Sequence, residues 1–194
     1  MIVSPDHWLT AARRVPSENE NARPDPSDIS LIVLHGISLP PGEFGAGLVE
    51  ELFRNRLDCA ADPRLADLQG VRVSAHLFID REGTTTQFVP FDRRAWHAGV
   101  SSWGGRRNCN DFAVGIELEG ADHVAYTESQ YDMLEQVLRA LAHRYPRLDP
   151  AAIVGHNEIA PGRKTDPGAA FDWPRVIRSA AGPSPAGSAS TEGL

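Results

Sequence analysis

Apolar residues along this chain fall into two rhythms, short unbroken runs and helical stripes, and their alternation predicts an α/β domain. ISLIVLHG, Ile29 to Gly36, is a nearly continuous apolar run closed by glycine, the pattern of a strand buried on both faces. FAVGIELEG (112–120) and the short run AAIVGH (151–156) read as further strands. RVSAHLFID, Arg72 to Asp80, alternates instead: Val73, Ala75, Leu77 and Ile79 against Arg72, Ser74, His76 and Phe78. DREG then turns this strand into TTTQFVP, a hairpin with a threonine-rich partner. Between the strands, AGLVEELFRNRL sets Leu48, Val49, Leu52, Phe53 and Leu57 on one helical stripe. Thr127 opens the strongest helix, because TESQ fits a capping box closed by Gln130. Its buried stripe is Tyr131, Leu134, Val137, Leu138 and Leu141, and Pro146 stops it. FDWPRVIRSA is a last helix, capped by Asp172. The expected fold is α/β, a mixed central β-sheet flanked by helices.

The chain, at 194 residues, is long enough for one domain with a sizeable core. Residues 1–28 are polar and expected to wrap the surface, residues 29–181 form the domain, and 182–194 (GPSPAGSASTEGL) form a disordered tail with little to bury. A net charge of −7 without a Lys/Arg cluster excludes nucleic acid and anionic membrane surfaces as main partners. No apolar run approaches the roughly 18–20 residues that span a bilayer. The first residues, MIVSPDHWLT, lack the basic and apolar regions of a signal peptide, and two cysteines, Cys59 and Cys109, are too few for a disulfide framework. A cytoplasmic monomer is expected.

The chemistry concentrates at strand ends. His35 and His156 each close an apolar run, so each imidazole belongs at the rim of a sheet, and the stiff loop APGRKTDPG follows the second. A lone histidine in such a place is more often a hydrogen-bonded structural residue. Two of them with Asp166 make two imidazoles and a carboxylate, the ligand set of a catalytic zinc site with one position left open. Proline in the loop restricts the backbone that carries the ligand. Zinc in such a set lowers the pKa of a water molecule to about 7, providing a nucleophile at neutral pH. Lys164, two residues before Asp166, can point into the same pocket as a cation for an oxyanion. Glu117 and Glu119 share one strand face, so either can be the base, and a solvated strand face explains both equally well.

Five blocks in order, ISLIVLHGISLPPGEFG, RVSAHLFIDREG, FVPFDRRAWHAG, CNDFAVGIELEG and GHNEIAPGRKTDPGAAFDW, resemble the zinc-dependent N-acetylmuramoyl-L-alanine amidases. The likeness runs from about Ile29 to Trp173 and is greatest to the cytosolic branch that acts on anhydromuramyl peptides. It implies the peptidoglycan-recognition-protein-like fold, zinc on His35, His156 and Asp166, Glu117 as acid/base residue and Lys164 as oxyanion stabiliser. It thereby implies Glu117 over Glu119. The implied partner is a small muropeptide. Arg72 is a candidate for pairing with a peptide carboxylate, and Trp96 and His97 for contacts to sugar or stem peptide; a surface arginine and a core tryptophan are the plain alternatives. His76 reads as structural. His7, His123 and His143 have no partner in sequence, and Cys109 reads as a small buried residue. Two positions depart from the family: Gly36, where members often carry asparagine, and Asn108, where arginine is expected. Both bear on substrate affinity rather than on the metal. The other readings are an endolysin-like enzyme cutting polymeric peptidoglycan and a non-catalytic muropeptide-binding module.

Overall fold

The structure, a computed structural model, describes residues 1–180, so the expected disordered tail at 182–194 lies outside the described residues. In chain order the strands are β1 (Arg13–Arg14), β2 (Glu20–Ala22), β3 (Leu31–Ile37), β4 (Leu77–Ile79), β5 (Thr85–Gln87), β6 (Arg93–Ala95), β7 (Ser102–Trp103), β8 (Arg106–Arg107), β9 (Ala113–Glu119) and β10 (Ile153–Gly155). The helices are α1 (Leu48–Phe53), α2 (Glu128–Arg144), α3 (His156–Ile159) and α4 (Trp173–Ala180). Six strands form one mixed sheet, ordered β1-β5-β4-β9-β3-β10, in which only β4 and β5 run antiparallel. The expected mixed sheet flanked by helices is the observed one.

The two-residue alternation of a strand divides this sheet into two unlike faces. Ile32 and Leu34 of β3 and Val114, Ile116 and Leu118 of β9 point to one side, where Leu134, Val137, Leu138 and Leu141 of α2 cover them together with Phe171 and Val176. Burying each such side chain contributes roughly 1.5–3 kcal/mol, so the stripe on α2 is the principal anchor of that face. The capping box forms as the sequence predicts: Gln130 N–H donates to Thr127 Oγ1 at 3.1 Å, and Thr127 N–H to Gln130 Oε1 at 3.0 Å. Asp172 accepts from Arg175 N–H at 3.1 Å at the start of α4. On the opposite face lie His35, Glu117 and Glu119. The second apolar cluster, of α1 with Leu39, Ala75, Phe88 and Val89, flanks them.

Three elements differ from the sequence reading. The α1 helix covers Leu48–Phe53 rather than the whole of 46–57, and Asn55 just beyond it has φ 59°, a left-handed conformation that ends a helix. Regular pairing in the 72–80 run is confined to Leu77–Ile79. Ser74 instead donates its N–H to Trp96 and its hydroxyl to Asn19, so side chains and loops outcompete the ladder. Residues 1–28 do more than wrap the surface: β1 extends the main sheet, and Val3, Leu9 and Val15 are buried. Buried Arg23 caps the carbonyls of Phe91, Asn110 and Ala113. Cys59 and Cys109 are both free and buried.

Candidate active site

Parallel register brings the separated blocks together. The pairing of β3 with β9 sets His35 directly beside Glu117, and β4 places Phe78 on the other side of Glu117. Directly paired residues share a face, so His35 and Glu117 project from the side that α2 leaves uncovered. On the far side of β3, β10 pairs Gly155 with Leu34, which delivers the next residue, His156, alongside His35 as the first residue of α3. Asp166 arrives by the loop after α3. Arg163 donates to the carbonyls of Ala98 and Val100, both at 2.7 Å. Asn157 N–H donates to the Asp166 carbonyl at 3.1 Å, and the Tyr126 hydroxyl to the Pro167 carbonyl at 2.9 Å. These bonds pin the loop on both sides of Asp166.

The three side chains meet as a nearly equilateral triangle. His35 Nδ1 and His156 Nδ1 are 3.0 Å apart, and each is 3.1 Å from Asp166 Oδ2. His156 Nε2 faces the Ala98 carbonyl at 3.1 Å, an acceptor only, so the imidazole carries its proton there and offers a lone pair at Nδ1. That lone pair, the Asp166 carboxylate oxygen and the second imidazole nitrogen converge on one point, as the ligand atoms of a metal ion do. Burial pushes the His35 imidazole down to about 4, so this ring is neutral at neutral pH, the form in which a histidine ligates a metal. Tetrahedral zinc, with ligand bonds of about 2.0–2.1 Å, spaces its ligand atoms about 3.3 Å apart, close to the triangle seen. The donors therefore fit a zinc ion. Burial raises the Asp166 carboxyl, but the two imidazoles beside it, His156 and His35, outweigh it and hold it well below the usual range.

Glu117 is the group left free beside this triangle. Burial pushes its carboxyl well above the ordinary range, the charge of Asp166 pushes it further, and Lys164 pulls it back. Its Oε2 is buried without a hydrogen-bond partner. Glu119, two residues on and on the same face, is tied up: it accepts from Gly45 N–H at 2.5 Å and Arg81 N–H at 3.3 Å. The periodicity that makes the two glutamates equivalent says nothing of these loop contacts.

A family model described as N-acetylmuramoyl-L-alanine amidase matches residues 25–169. This chain belongs to the N-acetylmuramoyl-L-alanine amidase family. It is 55% identical over 168 residues to 1,6-anhydro-N-acetylmuramyl-L-alanine amidase AmpD of Salmonella typhimurium, covering 87% of this chain and 89% of the relative. A crystal structure of a selenomethionine AmpD derivative superposes with a TM-score of 0.89 at 52% identity, over 92% of this chain and 99% of that one. The amidase AmiD of E. coli, solved with anhydro-N-acetylmuramic acid-L-Ala-D-gamma-Glu-L-Lys, superposes with a TM-score of 0.58 at 27% identity, over 92% of this chain and 65% of that one.

Within this amidase the remaining candidates are placed unevenly. Lys164 is exposed, and its charge acts on both Glu117 and His35. Arg72 is exposed and lines a separate cavity with Leu57, Cys59, Leu68 and Gln69, which holds none of the triangle residues. Trp96 is half-buried and donates its indole N–H to Asn21 Oδ1 at 3.2 Å. His97 does reach the site, but its Nδ1 lies 3.0 Å from His35 Nε2, against a candidate ligand. His76 is structural: it accepts from Gly115 N–H at 3.0 Å and faces the Arg93 carbonyl at 3.1 Å. At Gly36 a Cβ would come within 2.2 Å of the Tyr126 hydroxyl, so this tyrosine occupies the space a side chain there would need. Asn108 has φ 58° and precedes a short 3-10 turn. Sequence reading passed over Asn110, Tyr126 and Arg163. Each acts by a side-chain bond to a distant backbone, and no period or motif marks such a bond.

Proposed function

We propose that this protein hydrolyses the amide joining the lactyl group of 1,6-anhydro-N-acetylmuramic acid to the L-alanine of the stem peptide, in cell-wall recycling. The carrying observation is the buried His35–His156–Asp166 triangle, with an unpartnered Glu117 carboxylate beside it, in a chain 55% identical to a 1,6-anhydro-N-acetylmuramyl-L-alanine amidase. His35 and His156, through Nδ1, and Asp166, through Oδ2, would hold a zinc ion. Bound there, zinc supplies a Lewis acid for the scissile carbonyl and lowers the pKa of a water molecule to about 7. Glu117 takes the proton from the attacking water and returns it to the departing amine of L-alanine. Burial raises its pKa above that of a free glutamate, the direction in which a group that must both take and return a proton is tuned. The Lys164 ammonium stabilises the oxyanion of the tetrahedral intermediate.

The substrate is a small soluble muropeptide, and the enzyme works as a monomer in the cytoplasm. Among the described residues the large exposed apolar side chains are Met1, Ile2, Val100, Val124 and Ile177, too few for an obligate interface. Two buried free thiols suit a reducing compartment. No helix among the described residues is long and apolar enough to cross a membrane.

Mass spectrometry of purified protein with anhydromuramyl tripeptide tests this, beside intact peptidoglycan and with and without a chelator. The expected result is release of tripeptide from the small substrate, abolished by the chelator and restored by zinc. Cleavage of the polymer at a comparable rate would assign an endolysin-like activity instead. Zinc-loaded protein that cleaves neither would make this a binding module.

A further inference from the structure

His97 and Ala98 together touch both imidazoles of the triangle, and they do so from one dipeptide. The His97 Nδ1 lies 3.0 Å from His35 Nε2, and the Ala98 carbonyl 3.1 Å from His156 Nε2. The dipeptide is itself clamped. Asn110 Oδ1 accepts from both backbone N–H groups, His97 at 3.2 Å and Ala98 at 2.8 Å, and Arg163 donates to the Ala98 carbonyl. The His97 ring lies on the backbone of Gly115, where an added Cβ would come within 2.4–2.6 Å of Cγ, Cδ2 and Nδ1. The ring is thus wedged between a residue that must lack a side chain and His35.

We propose that the His97–Ala98 dipeptide, anchored by Asn110, is the positioning element for both histidine ligands, and that His97 is a positioning residue rather than a substrate contact. The proposal rests on the zinc site described above. Its chemistry is that of tautomers. A histidine that gives Nδ1 to a metal must carry its proton on Nε2 and needs an acceptor for it. Ala98 provides that acceptor for His156 through its carbonyl, and His97 provides it for His35 through Nδ1. With Nδ1 engaged as acceptor, the proton of His97 sits on Nε2, the buried ring nitrogen that has no partner. His97 therefore gives up a hydrogen bond of its own to fix the orientation of its neighbour.

The test compares zinc affinity, by competition with a chromogenic chelator, in the wild type and in three variants. His97→Leu removes the acceptor and should weaken zinc binding by about 10–100-fold, the usual loss when such a partner is removed. His97→Asn keeps an acceptor oxygen near the position of Nδ1 and should restore most of that loss. Asn110→Ala, which touches neither histidine ligand, should weaken binding in the same direction by freeing the dipeptide. In the zinc-loaded wild type, ¹⁵N NMR of the imidazoles should show His97 unprotonated at Nδ1 and protonated at Nε2. Wild-type zinc affinity in folded His97→Leu, or a protonated His97 Nδ1 in the loaded protein, overturns the proposal. A wild type that binds no zinc overturns the metal site itself, which is a separate outcome.

Discussion

Replacing Glu117 with glutamine should impair the enzyme and stabilise the fold at once. The amide has nearly the same shape as the carboxylate but cannot take a proton, so turnover should fall by about 10²–10⁴-fold, the usual worth of a general base. Zinc content should hold, since Glu117 is outside the triangle. Stability moves the other way. The carboxyl is buried, its Oε2 has no partner, and its pKa in the folded protein lies well above the value of 4.5 it has when exposed. A carboxyl raised on folding costs nothing below its unfolded pKa, where it is neutral in both states. Stability is then lost as pH rises from the unfolded towards the folded pKa. Each unit of that rise costs about 1.4 kcal/mol above the folded pKa. Each kcal/mol corresponds to about 2–4 °C in Tm for a domain of this size. Thermal unfolding of the metal-free wild type and Glu117→Gln, from about pH 4 to about pH 8, should show two curves that nearly coincide in acid and separate towards neutrality, the variant being the more stable. A gap that does not change with pH would refute the claim that burial loads this carboxyl. Near-normal turnover in Glu117→Gln would return Glu119 to contention.

Other perturbations separate the roles of the remaining residues. Asp166→Ala should lose zinc and activity together, read by metal analysis and tripeptide release; retention of both would remove Asp166 from the site. Lys164→Met should keep zinc and lower kcat by about 10²–10³-fold, as when an oxyanion donor is removed, whereas a change confined to KM would assign Lys164 to binding alone. Leu134→Ala empties a fully buried position under the sheet and should cost about 2–5 kcal/mol in denaturant unfolding while leaving zinc stoichiometry intact.

Much of this protein follows from its sequence read locally. The stripe and capping box of α2 are interactions between residues three and four apart, and the chain folds there as the spacing predicts. The apolar runs of β3 and β9 are equally direct, because strands covered on both faces are mostly apolar, with His35, Glu117 and Glu119 as buried polar exceptions. His35, His156 and Asp166 could be named from their places at strand ends and in a stiff loop. Only the tertiary structure closed them into a triangle, since β10 lies in parallel register beside β3 and hydrogen bonds pin the loop after α3 against them. The same is true of the two glutamates, which periodicity cannot tell apart. The difference comes from the loop that presents Gly45 N–H to Glu119 and leaves Glu117 Oε2 unpaired. His97, read from sequence as a contact for sugar or peptide, turns towards His35 because Gly115 gives its ring room and Asn110 holds its backbone. Arg72 lies in an irregular segment at another cavity because Ser74 is drawn to Asn19 and Trp96 instead of a neighbouring strand. Sequence determines what is decided within a few residues, by propensity, caps and the burial pattern. Side-chain direction and hydrogen-bond partners across the sheet are settled by competition among groups tens of residues apart, and that competition has no local signature.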